Sequence, residues 1–333
     1  MALPQVRLQP WYPGQMGVDG SDVARGLRWA PTSIVLYVDE NHPGATADND
    51  GTDPENPLTT IQQAVDNLIA FATATSSSLI GSAIVVGAGA TIAESVVVPP
   101  TAPRGVQLIG AGGSRHRPVW TAATAAGTAL TLRQQEWTVE GFTFEAGAEG
   151  TSIRLEEVPA SSYISYKTVI RDCQFDGLWG GLYGIDFAGA PHRVTVEGCE
   201  FLEWRSAGGA AFAICITNTT HALPLQCRIQ NNLFWSNENH VGSVDALRSF
   251  NSSLFTGNVF DQNAYIATTV MLDFRASTIS NIAVGNYFGG DYSNGGGYYD
   301  SLGASANWIG NFAEDIGEIE VGDNGLTIAP PAA

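Results

Sequence analysis

A six-residue motif recurs from Val139 to Phe312 and limits what this chain can fold into. Each copy reads apolar, mostly polar, Gly/Asn/Asp, small or Asn, variable, Phe. Successive copies start roughly 25 to 33 residues apart, a period that is typical of solenoid proteins. The copies are Val139–Phe144, Ile170–Phe175, Val196–Phe201, Ile229–Phe234, Phe255–Phe260, Ala283–Phe288 and a shorter seventh, Trp308–Phe312.

Short strands of this composition cannot bury their apolar faces alone, so each copy must stack on the next. Stacking sets equivalent residues about 4.8 Å apart, the spacing of paired strands. We therefore predict an aromatic column built from the terminal Phe of every copy. We also predict a ladder of Asn232, Asn258 and Asn286, because each amide both donates and accepts. The Gly, Asn or Asp before the ladder position suits a bend with positive φ.

The same register places Glu140, Arg171 and Glu197 in one outward row. Opposite charges would then meet on adjacent coils, which is favourable between paired strands. Three unrelated surface charges are the alternative interpretation, because exposed pairs contribute little.

Cys173 and Cys199 also share one motif position. We predict packed free thiols there rather than a disulfide, since no export signal is visible.

Charge and composition exclude several classes of partner. The net charge is −18 with a pI near 4.4, so nucleic acids and anionic membranes would be repelled. Charged residues make up only 14% of the chain and Gly contributes 38 residues, which suits an all-β protein with many turns. The sequence contains no long apolar run and no signal peptide. We expect the protein to be synthesised in the cytoplasm and to leave the cytoplasm by a route such as incorporation into a particle.

Residues 1–33 are predicted to form an extended attachment arm. Its prolines oppose regular secondary structure. Trp11, Tyr12 and Trp29 would dock on another protein, because aromatic side chains are enriched at interfaces. An arm that folds back on the chain's own body is the alternative.

Three further segments follow the arm. Residues 34–81 hold a first strand, an acidic loop and an amphipathic helix from Thr59 to Ala74. This helix would cover the open first coil, whose strand edges would otherwise be exposed. Residues 82–313 form the repeating body, and residues 314–333 form a C-terminal cap or tail.

The acidic loop is a candidate metal site. Asp48, Asp50 and Asp53 offer oxygen ligands of the kind that Ca²⁺ prefers. Their spacing does not follow the full EF-hand pattern, so a plain loop of Asx turns is the alternative. Apart from this Ca²⁺ we predict no cofactor.

Several short segments resemble the pectate-lyase-like superfamily of right-handed parallel β-helix proteins. The resemblance implies a right-handed, single-stranded parallel β-helix with an N-terminal capping α-helix. Members include polysaccharide lyases, hydrolases and esterases, and also bacteriophage tailspikes and virion proteins. Similarity to the phage branch implies a homotrimer. The segments are Tyr37–Asp39, Asn49–Thr52, Pro57–Leu58, Thr60–Gln62, Val106–Gly110 and Val139–Phe144.

Candidate functional residues are few. The sequence shows none of the catalytic motifs of polygalacturonases, pectate lyases or pectin esterases, which favours a non-enzymatic role. If the chain does cleave a glycan, Asp176 and Glu203 are the best pair of acids. Trp179, Trp204 and Trp235 follow the column Phe on successive coils and would form an outward row that stacks on sugar rings. Loop packing or a trimer interface is the alternative for these tryptophans.

These features favour a structural virion protein of a bacteriophage. It would be a homotrimeric β-helix that decorates the capsid or forms a spike, and it would attach to capsid or tail proteins through residues 1–33. The main alternative is a tailspike-like protein that binds or degrades a host surface polysaccharide. A free carbohydrate-binding β-helix is the third hypothesis.

Overall fold

The computed structural model describes residues 33–76, 78–156, 167–208, 211–218, 223–245, 248–261, 270–272, 281–289, 307–314, 317–319, 321–322 and 326–327. The predicted attachment arm, with Trp11, Tyr12 and Trp29, lies outside these residues apart from Ser33. Much of the predicted C-terminal tail also lies outside them.

Three long sheets form the body. The first sheet contains Val35–Val38, Ala83–Val86, Gln107–Gly110, Thr138–Glu140, Val169–Arg171, Thr195–Glu197, Arg228–Gln230, Leu254–Thr256, Ile282–Val284 and Asn307–Ile309. The second sheet contains Thr91–Ala93, Val119–Thr121, Thr143–Glu145, Gln174–Asp176, Glu200–Leu202, Leu233–Trp235, Val259–Asp261, Tyr287–Gly289, Asn311–Ala313 and Gly317–Ile319. The third sheet contains Val96–Val98, Thr128–Leu132, Thr151–Leu155, Tyr183–Phe187, Phe212–Ile216, Asn239–Ser243 and Val270–Leu272.

From Ala83 to Leu272 the chain visits the three sheets in the same order on each coil. In this part, neighbouring strands of each sheet come from successive coils and pair in parallel, which confirms the predicted parallel β-solenoid. At the C-terminal end, Gly317–Ile319 pairs antiparallel with Asn311–Ala313. The short strands Val321–Gly322 and Leu326–Thr327 pair antiparallel with each other.

The predicted aromatic column fills the core behind the second sheet. Six stacked rings have centroids 4.7 to 5.2 Å apart and nearly parallel planes: Phe144, Phe175, Phe201, Phe234, Phe260 and Phe288. Trp120 extends the column at its N-terminal end, 5.3 Å from Phe144. The prediction is wrong for Phe312. The seventh copy is one residue shorter, so Phe312 pairs with Tyr287 and is 46% exposed while Ala313 takes the column position.

The amide ladder is confirmed and is longer than predicted. Asn232, Asn258 and Asn286 each donate a side-chain hydrogen bond to the next amide oxygen, and the row ends at Asn311, with N–O distances of 2.8 to 3.0 Å. The same oxygens also accept from the backbone N–H of the asparagine one coil back; for example, the Asn232 N–H donates to Asn258 Oδ1. All four amides are buried and satisfied, so the ladder holds coils together without unpaired polar groups.

In every copy of the motif, the residue just before the ladder position has a positive φ. Gly141, Gly198, Gly257, Gly285 and Gly310 adopt it without a steric penalty. Non-glycine residues adopt it in the other two copies, which contain Asp172 and Asn231. The bend turns the chain from the first sheet into the second, as predicted.

The charged row and the cysteines follow the predicted register. Arg171 pairs in the sheet with Glu140 on one side and Glu197 on the other. Its guanidinium bonds to Glu140 at 2.7 Å, and the described ion pairs do not include Glu197. Cys173 and Cys199 are buried free thiols, which confirms that no disulfide joins them.

The helix Ile61–Thr75 covers the first coil, close to its predicted bounds. Its buried face belongs to the same apolar core as the sheets and contains Ile61, Ala64, Val65 and Leu68. The Thr60 hydroxyl accepts from the Gln63 backbone, so Thr60 is the N-cap. The Gln62 side chain exchanges two hydrogen bonds with the backbone of Val97, on the outermost strand of the third sheet. Helix and side chain together protect an open sheet edge. No helix among the described residues has the length and apolarity to cross a membrane.

We expect Asn258→Ala to lower the free energy of unfolding by roughly 2 to 4 kcal/mol, because it removes a buried amide and leaves partners on both neighbouring coils unpaired. Gln230→Ala, at a half-exposed outer position, is the control and should change it by about 0.5 kcal/mol or less. Chemical denaturation followed by circular dichroism measures both. Equal effects of the two substitutions would show that the ladder does not stabilise the coils.

Candidate functional site

Two carboxylates face solvent side by side on the second sheet. Asp176 and Glu145 each follow a column Phe, and their Cα atoms are register partners on adjacent strands. Residues so paired lie about 4.8 Å apart, and like charges at this distance repel each other. Glu145 was not among the predicted site residues, although it occupies the same motif position as Asp176. The structure therefore provides an adjacent pair of acids.

A strained turn after Asp176 presents an aromatic side chain to solvent. Leu178 and Trp179 have φ of 46° and 60°, and their side chains are 49% and 45% exposed. Left-handed backbone costs about 1 to 2 kcal/mol for a non-glycine residue. Hydrogen bonds hold the turn: the Leu178 N–H donates to Asp176 Oδ1 at 2.9 Å, and the Trp179 N–H donates to the Glu203 carbonyl at 3.2 Å.

Glu203 lies next to this turn on the following coil. It also has a positive φ, and its N–H donates to the Trp235 carbonyl at 3.2 Å. Desolvation raises the pKa of the Glu203 carboxyl, and the negative charge of Asp176 raises it further. The predicted pair Asp176 and Glu203 is thus brought together, with Trp179 beside it.

The predicted row of three outward tryptophans is wrong at Trp204. This side chain is fully buried, so it cannot stack on a sugar ring. Its indole N–H donates to the Phe175 carbonyl at 3.3 Å. Gly181 leaves room for the ring, since a Cβ there would lie 2.7 Å from an indole carbon. The bend at Glu203 turns the next side chain inward, and spacing along the sequence does not reveal this.

Trp235 remains on the outer face, where it is 36% exposed. It ends its strand in the same outer row as Asp176, with Leu202 on one side and Asp261 on the other. We refer to the surface formed by Glu145, Asp176, Trp179, Glu203 and Trp235 as the Trp179 corner. It joins the outer face of the second sheet to the bend that leads to the third.

The Trp179 corner has the composition of a sugar-binding surface. Two exposed indoles offer flat apolar faces, and three carboxylates accept hydrogen bonds from hydroxyl groups. Among the described residues no three His, Cys, Asp or Glu side chains are grouped to hold a metal ion.

The predicted calcium loop is occupied by turn hydrogen bonds. Asp50 Oδ1 accepts from the backbone and hydroxyl of Thr52, at 2.8 and 2.7 Å. Asp53 accepts from the Glu55 N–H and from the Asn56 side chain. These contacts match the Asx-turn alternative, and Asp48 is not grouped with the other two acids as a metal ligand set.

A separate carboxyl is buried beneath the outer surface of the third sheet. Asp186 is 2% exposed and accepts a 2.6 Å hydrogen bond from the Thr217 hydroxyl. Arg154 lies 3.7 Å from its other oxygen. Desolvation raises the pKa of Asp186 to about 6, and the hydrogen bond and the cation only partly oppose it.

We expect Asp186→Asn to stabilise the fold by about 2 kcal/mol at pH 8, because the ionised carboxylate is desolvated there. The folded pKa is raised, so protonation favours the folded state. The stability that Asp186 contributes is present below about pH 4 and is lost as the pH rises through 6. Thermal unfolding between pH 4 and 8 should therefore show that the stability gained by Asp186→Asn at pH 8 disappears at acid pH. Exposed Glu55→Gln is the control, and a benefit independent of pH would contradict this account.

Comparison with known proteins supports the fold alone. No protein-family model and no curated protein matches the sequence. The structure is similar to the GH136 lacto-N-biosidase from Eubacterium ramulus, with a TM-score of 0.56, 11% identity and 84% of this chain covered; the chain spans 56% of that protein. A rhamnogalacturonan lyase has a TM-score of 0.48 and 11% identity, over 89% of this chain and 95% of that one. ORF18 of Geobacillus virus E2 has a TM-score of 0.41 and 12% identity, over 84% and 60%. The chain is a parallel β-helix, the fold that it shares with the lacto-N-biosidase.

Proposed function

We propose that this protein binds a polysaccharide at the Trp179 corner, as a tailspike-like β-helix does. The observation that carries the proposal is the exposed indole of Trp179 on a left-handed turn. An exposed side chain gains little from burial, so packing does not compensate for the strain of this turn. Positive φ recurs at the bends of this chain, so what distinguishes Trp179 is that acids and a second exposed indole surround its exposed ring.

The arrangement suits a chain of sugar rings lying across the coils. Trp179 and Trp235 would contact the apolar ring faces, and Asp176, Glu145 and Glu203 would accept hydrogen bonds from hydroxyl groups. Because desolvation and the negative charge of Asp176 both raise the pKa of Glu203, these two acids are also the best candidates for proton transfer if the bound glycan is cleaved.

We expect Trp179→Gly to weaken polysaccharide binding by roughly tenfold or more, equivalent to about 1.4 kcal/mol, without lowering the unfolding temperature. Glycine adopts positive φ freely, so the substitution removes the indole and relieves the turn. Affinity electrophoresis against bacterial capsular polysaccharides and lipopolysaccharides measures binding.

The control is Ile80→Ala, which truncates an exposed apolar side chain in the turn before the strand Ala83–Val86. A drop in unfolding temperature with unchanged affinity would mean that Trp179 has a structural role only. Release of reducing sugar by the native protein, abolished in Glu203→Gln, would extend the proposal from binding to hydrolysis.

A bacteriophage virion protein is the second candidate. Apolar side chains are exposed on the last coils, where Tyr287 and Phe312 stack with ring centroids 5.9 Å apart and Ile282 and Ile309 are 39% and 58% exposed. Large apolar side chains exposed together favour association with another chain. We propose that this end forms a homotrimer and that residues 1–33 attach the trimer to capsid or tail proteins of the particle.

Sedimentation velocity should give a trimer for the full chain and a monomer for the double variant Ile309→Glu, Phe312→Glu, because buried unpaired charges oppose association. Val97→Glu, at an exposed position on the third sheet of the first coil, should leave the trimer intact. Deleting residues 1–33 should abolish particle association and keep the trimer. A monomeric native chain would contradict this candidate.

A further inference from the structure

A cleft of about 540 Å³ lies at the opposite corner of the β-helix, where the chain leaves the third sheet and enters the first. Its apolar floor includes Val169 and Leu254, which are half-buried on the outer face of the first sheet. Arg228 lies in the same outer row, between Thr195 and Leu254, whereas Lys167 and Arg193 lie at the corner that precedes this row. All three cations are exposed. This cation cleft is separate from the Trp179 corner, which joins the second sheet to the third.

The charge of the cation cleft is opposite to that of the whole chain. Acidic residues outnumber Lys and Arg by 33 to 15, and yet the described lining holds three cations and no acid. Within the described part of this region, Lys167 forms an ion pair with Glu136 at 3.5 Å. Both side chains of that pair are more than one-third exposed, so a polyanion can compete with it.

The three cations lie on three successive coils. Lys167 donates its backbone N–H to His192, just before Arg193, and Arg193 donates to Leu225 on the next coil, which also carries Arg228. These bonds hold the corner in a regular ladder with a step of about 4.8 Å. The Gln226 side chain accepts from Arg193 Nε at 2.9 Å and orients the guanidinium. Lys167 and Arg193 therefore occupy equivalent corner positions one coil apart. Arg228 lies on the third coil, two residues after Gln226, which takes the corner position there.

We propose that the cation cleft binds a linear acidic glycan whose carboxylate or sulfate groups face Lys167, Arg193 and Arg228. Guanidinium groups bind both oxyanions through paired hydrogen bonds. The apolar floor suits the faces of sugar rings. Single-stranded nucleic acid fits less well, because the described lining has no aromatic side chain on which bases could stack, and because the surrounding chain is strongly acidic.

Binding of three polymers tests the proposal: polygalacturonate for carboxylates, dextran sulfate for sulfates, and neutral dextran. We expect the full chain to bind one or both acidic polymers and not neutral dextran. The double variant Arg193→Gln, Arg228→Gln should weaken that binding by roughly tenfold or more. Arg193→Lys, Arg228→Lys keeps the charge and loses the paired hydrogen bonds, so it should weaken binding less than the glutamine variant does. Since both arginines are exposed, unfolding temperatures should not change.

The matched control is Arg115→Gln, Arg117→Gln, which removes the same charge from a loop elsewhere on the chain. An equal loss in this control would show nonspecific attraction and overturn the proposal. So would failure of the native chain to bind either acidic polymer, or equal binding of a single-stranded oligonucleotide. The inference does not depend on the proposed function. Trp179→Gly should leave the binding of acidic polymers unchanged. A loss of that binding in this variant would place the acidic polymer at the Trp179 corner and contradict the proposal for the cation cleft.

Discussion

Parallel hydrogen bonding between successive coils is the constraint on which the rest of this structure depends. Once each strand pairs with its counterpart one coil away, every side chain lies on the equivalent side chain of the next coil. A residue type that recurs at one motif position must therefore pack favourably against its own copies on the neighbouring coils. Phenylalanine rings meet this condition by stacking, and asparagine amides meet it by donating to one neighbour and accepting from the other.

Because of the same constraint, the corners between sheets are where residues can differ from coil to coil and form a binding surface. Inside the sheets, and at the tight bend between the first and second sheets, a substitution affects the coil on either side, so the column Phe201 and the ladder Asn258 have little freedom. At the other two corners the loops differ in length, and side chains such as Trp179 and Arg193 are exposed. The two candidate binding surfaces lie at such corners: Trp179 on one and Arg193 on the other both have left-handed backbone. The rigid coils fix the positions from which these side chains project.

The two corners differ in charge, and this separates their chemistry. Carboxylates and exposed indoles form the Trp179 corner, which suits hydroxyl groups and sugar faces. Cations along three coils form the second corner, which suits oxyanions. In a chain of net charge −18 the acidic corner resembles the rest of the surface, whereas the basic cleft is a local exception. A protein can thus present two unlike surfaces on one repetitive scaffold.

The amino-acid sequence alone determined the coil register, the Phe column, the Asn ladder and the capping helix, because a repeating apolar motif can be buried only by stacking on itself. Tertiary structure decided what lies at the corners. The loops between copies differ in length, so sequence spacing could not show that Trp204 turns inward or that Glu145 stands beside Asp176. It also could not show that Lys167, Arg193 and Arg228, far apart in the chain, line one cleft. Local periodicity specifies contacts within the sheets, whereas contacts between loops depend on the path of each bend.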